Sequence, residues 1–182
     1  MNWIIRRSQP PAAPPATPAV PPWEDAKLAM TEFGNWIKNA DTKVTILTAA
    51  LGILVASTAS NIDTLHAALS NPAFRHKWIL SVPLGLLCCA ILATAGFAYQ
   101  ALKPRSGGAS TQNRFSWPSV ADSSCPPSDL DPMATLVEAW TQNHALARIA
   151  ALKYRAFANA LRCFGIALIL SGTCIAIATW QA

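Results

Sequence analysis

Three long stretches of this chain carry no charge. Val44 to Ile62 gives 19 residues between Lys43 and Asp63, Trp78 to Leu102 gives 25 between Lys77 and Lys103, and Cys163 to Ala182 gives 20 after Arg162. A helix needs about 20 apolar residues to cross a hydrocarbon core about 30 Å thick, and all three stretches reach that length. The first is diluted by Thr45, Thr48, Ser57, Thr58 and Ser60, hydroxyls that a membrane helix carries when they face other helices. Only 13% of the 182 residues are charged and 52% are hydrophobic, against roughly 25% charged in a soluble domain. The expectation is an all-α protein with three transmembrane helices at about 44–62, 79–102 and 163–181.

The basic residues set the expected orientation. Five (Arg6, Arg7, Lys27, Lys38, Lys43) precede the first stretch, two (Arg75, Lys77) lie between the first and second, and seven (Lys103, Arg105, Arg114, Arg148, Lys153, Arg155, Arg162) lie between the second and third. The positive-inside rule puts the twelve in the cytoplasm and the two outside, so the N-terminus is expected inside and the C-terminus outside. Met1 to Arg7 has no apolar run of the length that a signal peptide requires, so insertion is expected to start at an internal helix.

Pro10 to Pro22 reads PPAAPPATPAVPP, the composition of an extended polyproline II spacer. Residues 1–22 are therefore expected to be a disordered arm and 23–182 the membrane unit. From Trp23 the pattern becomes helical, with Ala26, Met30, Phe33, Ile37 and Ala40 on one face. Nothing breaks that helix before Val44, so it should run into the first membrane segment. Asn61 to Lys77 reads as a short outer connection with a turn at Asn71-Pro72. Residues 103–128 read as loop, with a short structured patch at Arg114 to Trp117. Asp131-Pro132 is a helix start. The helix it opens carries a stripe at Val137, Trp140, His144, Ala147, Ala151, Tyr154, Ala158 and Leu161, a heptad spacing that asks for a partner helix. Trp23–Lys43 is the expected partner. The two form a cytoplasmic two-helix stalk continuous with the first and third membrane helices.

No enzyme constellation is present. The chain has no Gly-rich phosphate loop, no G-x-S-x-G and no H-E-x-x-H, so it is not expected to be an enzyme. Its five cysteines and three histidines show no metal-ligand spacing; neither a metal nor a cofactor is expected. The membrane segments hold no ionisable residue of the kind that marks ion-coupled transport. They hold small residues four apart instead, at Gly52, Ala56 and Ser60 and at Gly172 and Ala176, a spacing that permits close helix association, and a homo-oligomer is expected.

The richest polar cluster lies just before the first membrane segment, from Asn35 to Lys43, with further cations on the facing helix. Lys38, Asp41, Lys43, Lys153 and Arg155 are the candidate binding residues. Cations hold a phosphate, a carboxylate reads a hydroxyl, and an aromatic such as Trp36 or Tyr154 stacks on a base. The competing reading of the four cations is the ordinary positive belt beside a membrane.

Three segments carry a family resemblance. Asn35-Trp36-Ile37-Lys38-Asn39-Ala40-Asp41-Thr42-Lys43, running into Leu47-x-x-Ala50-Leu51-Gly52, resembles the opening of the Pycsar effector family of membrane proteins (PycTM type). Arg114-Phe115-Ser116 resembles the family's short aromatic segment, departing from its usual Phe-Phe-Gly. Gln142-x-x-x-Leu146-Ala147-x-Ile149-x-x-x-Lys153-Tyr154 resembles its helix before the last membrane span. The resemblance covers roughly Thr31 to Gly172. It implies an antiphage effector in the bacterial inner membrane, paired with a pyrimidine nucleotide cyclase. On that reading cUMP or cCMP is the activating ligand, and activation impairs the membrane and aborts infection; no nucleic acid is involved. The alternative is a structural or assembly membrane protein that docks a cytoplasmic partner and binds no nucleotide.

Overall fold

A computed structural model describes residues 22–72, 76–104, 113–122 and 131–181. The proline-rich arm before Pro22, Arg75, Arg105 and Cys125 lie outside the described residues. Five helices follow in order: α1 (Pro22–Ser60), α2 (Ile62–Ser70), α3 (Trp78–Leu102), α4 (Trp117–Asp122) and α5 (Pro132–Gln181). No strand occurs among the described residues. The three long helices are each apolar and long enough to cross a bilayer, and the protein is a multi-pass membrane protein.

Each long helix buries one seam. On α1 the expected stripe of Ala26, Met30, Phe33, Ile37 and Ala40 faces inward and continues through Val44, Leu47, Leu51 and Leu54. Steps of four and three repeat without interruption, as in helices that pack along their whole length. The α5 seam differs from the expected one. Ala139, Asn143, Ala150, Lys153, Ala156 and Ala160 are buried, whereas Val137, Trp140 and Leu161 are exposed. The reason is steric: a seam of small residues lets two helix backbones approach closely, and the bulky side chains are displaced to its flanks. The expected start of α5 holds, with Asp131 Oδ1 accepting from the Met133 backbone N–H at 3.2 Å.

The contacts fix the directions. Asn143 donates to the Ala26 carbonyl at 2.9 Å, Lys153 pairs with Asp41, and the Thr58 and Ser171 hydroxyls meet at 3.0 Å, so α1 and α5 run parallel. Helix α3 runs the other way. Its Ala98 and Ala101 pack with Val44 and Ala156, its Leu87 and Ala90 with Leu54 and Ala167, and its Leu80 with Cys174 and Ala178. With 25 residues, α3 is about 38 Å long at ~1.5 Å per residue, enough for one crossing. Helix α5 has 50 residues and is about twice as long. The N-terminal halves of α1 and α5 therefore extend as a pair beyond the end of α3, with no break between the extension and the span.

The connection after α1 is itself a helix rather than a bare turn. Leu65 and Ala68 of α2 are buried against Leu80, Cys174 and Ala178, and Asn71 donates to the Gln181 carbonyl at 3.0 Å. Apolar contact with the end of α5 thus gives Ile62–Ser70 a partner that local turn signals do not reveal. Trp78 and Trp180 stand exposed at this end of the bundle, as aromatic residues do at a bilayer boundary.

Candidate functional site

Where the paired extension meets the span, one charged side chain is buried. Lys153 lies in the α5 seam, its side chain 7% exposed, and its ammonium pairs with the Asp41 carboxylate of α1, which is 41% exposed. A buried ammonium is costly unless paired. The heptad register of α5 puts position 153 against α1, and α1 supplies the acid one residue after the buried Ala40 and three before the buried Val44. The ion pair thus ties the two helices at the level where α3 ends.

The surrounding groups arrange as follows. The Lys43 ammonium lies over the Tyr154 ring, 5.5 Å from its centroid, a contact worth about 0.5–1 kcal/mol when exposed. The same Tyr154 ring meets Trp36 edge-on at 5.9 Å. Two contact sets from the same two helices result: Lys153 with Asp41, and Lys43 and Trp36 on the ring of Tyr154, the residue that follows Lys153. Lys38 and Arg155 are exposed and make no ion pair among the described residues; they add positive charge nearby but do not join these contacts. Of the five expected binding residues, the structure brings together Asp41 with Lys153 and places Lys43 on the ring of Tyr154.

A second polar cluster occupies the far end of the helix pair. The segment after α3 returns there as a turn: Asn113 donates to the Glu138 carbonyl at 2.9 Å, and Arg114 Nε donates to Glu138 Oε2 at 3.1 Å. Asn113 Oδ1 accepts from the Phe115 backbone N–H at 2.8 Å, and the Phe115 ring lies 5.9 Å from that of Trp23 on α1. The turn thus touches both α1 and α5 and holds their ends together. Asn143, 2% exposed, keeps its Oδ1 without a partner, as does Arg114 Nη2. Sequence reasoning singled out Arg114 and Phe115 but not Asn113, Glu138 or Asn143. An Asn at a seam position was the available signal for the last, since a polar residue there fixes helix register.

Among the described residues no group of His, Cys, Asp and Glu is placed to hold a metal ion. The small residues Gly52, Ala56, Gly172 and Ala176 lie on exposed faces of α1 and α5. Side chains of the Lys153 and Tyr154 contacts can bind an anion, stack an aromatic ring and exchange one ion pair for another.

A family model described as the Pycsar effector protein domain (PycTM) matches residues 25–180 of the chain. No curated protein and no solved structure matches it.

Proposed function

The chain belongs to the Pycsar effector protein family, effectors of antiphage defence, and from that membership we propose that it senses a cyclic pyrimidine nucleotide, cUMP or cCMP, and responds by impairing the inner membrane. A partner pyrimidine nucleotide cyclase supplies the messenger, and loss of membrane integrity aborts the infection. The protein itself catalyses nothing. The paired extension is a cytoplasmic stalk, with the N-terminus inside, as the distribution of basic residues favours.

The observation that carries this reading is the pairing of the buried Lys153 with the partly exposed Asp41, which joins two helices that run unbroken into the span. The messenger's phosphate is a competing partner for Lys153. Lys38, Lys43 and Arg155 raise the local concentration of anions, and Trp36 and Tyr154 offer ring faces to the base. When the phosphate takes Lys153, Asp41 is released and α1 is no longer tied to α5 at the membrane boundary. A ligand shifts such an equilibrium only by its differential affinity for the two arrangements, and the phosphate supplies that difference because it binds Lys153 only where Asp41 has left. Since neither helix is interrupted, a change of packing in the stalk changes packing in the span. The exposed small-residue faces at Gly52 and Ala56 and at Gly172 and Ala176 then serve self-association.

The test is made in cells that express the full chain with and without a uridylate or cytidylate cyclase. Entry of a membrane-impermeant dye is expected only when both are present. Entry independent of the cyclase, or none with either cyclase, overturns the reading.

A further inference from the structure

A groove of about 400 Å³ runs between α1 and α5, lined by Lys43, Ile46, Leu47, Ala50, Phe157 and Leu161. Its volume is within the ~300–1,000 Å³ range of small-molecule sites. Five of the six lining residues are apolar, and Ile46 and Leu161 remain 66% and 50% exposed. The groove begins at Lys43, the last charged residue before the first membrane span, and its α5 wall lies just ahead of Arg162 and the third span, so it sits at the boundary between lipid and water.

The groove has a direction. Lys43 stands at one end with its ammonium on the Tyr154 ring. Ile46, Leu47 and Ala50 follow Lys43 along α1, and Phe157 and Leu161 follow Tyr154 along the parallel α5. From Lys43 to Ala50 is about two turns, ~10 Å. The cation thus occupies the end toward the stalk, and apolar side chains line the end toward the membrane. A phospholipid has this polarity, with its phosphate at the boundary and its acyl chain inward.

We propose that this groove binds an anionic phospholipid, with one acyl chain against Leu47, Ala50 and Phe157 and the headgroup phosphate on Lys43. Basic residues between membrane helices favour anionic headgroups, and an ammonium–phosphate contact is charge-assisted. A second copy of the chain is a poorer occupant, because Lys38, Lys43 and Arg155 would meet their own like charges. A nucleotide is poorer too, because the groove walls offer a base or ribose no hydrogen-bonding side chain beyond Lys43. The bound chain fills the space between α1 and α5 immediately on the membrane side of the Lys153–Asp41 pair, so it supports the packing of that junction. The inference stands independently of messenger sensing.

Native mass spectrometry of the full-length protein, released from detergent micelles doped with phosphatidylglycerol or with phosphatidylethanolamine of the same acyl chains, tests it. Phosphatidylglycerol should be retained at about tenfold lower concentration. Lys43→Gln should abolish that preference, Lys43→Arg should keep it, and Lys103→Gln, a charge change at the end of α3, should leave it unchanged. Ala50→Phe should reduce retention of both lipids by filling the groove; Leu161→Trp does the same from the opposite wall should the first variant fail to fold. Equal retention of the two lipids, loss of preference in Lys103→Gln as large as in Lys43→Gln, or full retention in both groove-filling variants overturns the proposal. A protein dimer in place of the lipid adduct also overturns it and assigns the groove to a second copy.

Discussion

Removing Asp41 and removing Lys153 should have opposite effects on the response to messenger. Breaking a buried pair by deleting one partner costs about 3–5 kcal/mol, whereas an exposed pair is worth about 0.2–1 kcal/mol. Lys153 is nearly buried and Asp41 is 41% exposed, so the pair belongs between these limits, at roughly 2 kcal/mol. That is a factor of about 30 in an equilibrium. In Asp41→Asn the messenger's phosphate no longer competes with a carboxylate, and the resting tie between α1 and α5 is weaker. The nucleotide concentration for half-maximal dye release from vesicles should fall by up to about 30-fold, with some release before any nucleotide is added. In Lys153→Met both the tie and the anion partner are gone, and the apolar side chain is tolerated at a seam position. Loss of the tie should again give some release without nucleotide, but the nucleotide-dependent part should need at least about tenfold more nucleotide than the parent requires. The exchange mechanism is refuted if the two variants shift in the same direction, or if Asp41→Asn responds as the parent does.

Other outcomes follow from the same structure. A reporter active only outside the cytoplasm should work when fused after Ala182 and stay silent at Gly107; the reverse would overturn the orientation. Asn143→Leu removes a buried oxygen that has no partner, a group costing about 1–3 kcal/mol, together with the bond to the Ala26 carbonyl, worth about 0.5–1.5 kcal/mol, so the melting temperature in detergent should hold or rise by a few degrees; a fall of many degrees would show that this side chain is fully partnered in solution. Arg114→Ala breaks the ion pair with Glu138, a partly exposed contact worth about 1 kcal/mol, and should speed proteolysis within 113–122 without altering insertion; unchanged cleavage would mean that the turn is held by Asn113 and Phe115 alone. Deleting Ser8 to Pro21 should leave dye entry intact; its loss would give the proline-rich arm a role beyond tethering.

The spans and the α1 seam were legible because each rests on one strong signal: uncharged length for the spans, and unbroken steps of three and four for Ala26 to Ala40. The α5 seam was not. Trp140 and Val137 attract attention by hydrophobicity, yet close approach of two backbones selects Ala139, Ala150 and Ala156, residues whose smallness leaves no mark on a hydropathy pattern. The burial of Lys153 was equally hidden, because a lysine beside a membrane reads first as a surface cation, and its inward position follows only once the register is fixed by its neighbours. Lys153 and Asp41 are still legible as candidates, through the density of polar groups beside the first membrane segment and the family-like segments that contain them. Their pairing came from the parallel alignment of α1 and α5. Helix α2 was missed because Asn71-Pro72 marks a turn correctly, while the helical residues before it draw their support from the distant end of α5.

The most direct measurement uses the purified protein alone in sealed vesicles loaded with a self-quenching dye. Dye release is expected on addition of cUMP or cCMP, in proportion to the protein incorporated, and not with cAMP or in protein-free vesicles. No release at saturating cUMP and cCMP, or equal release with and without nucleotide, would contradict messenger-gated membrane damage by this chain.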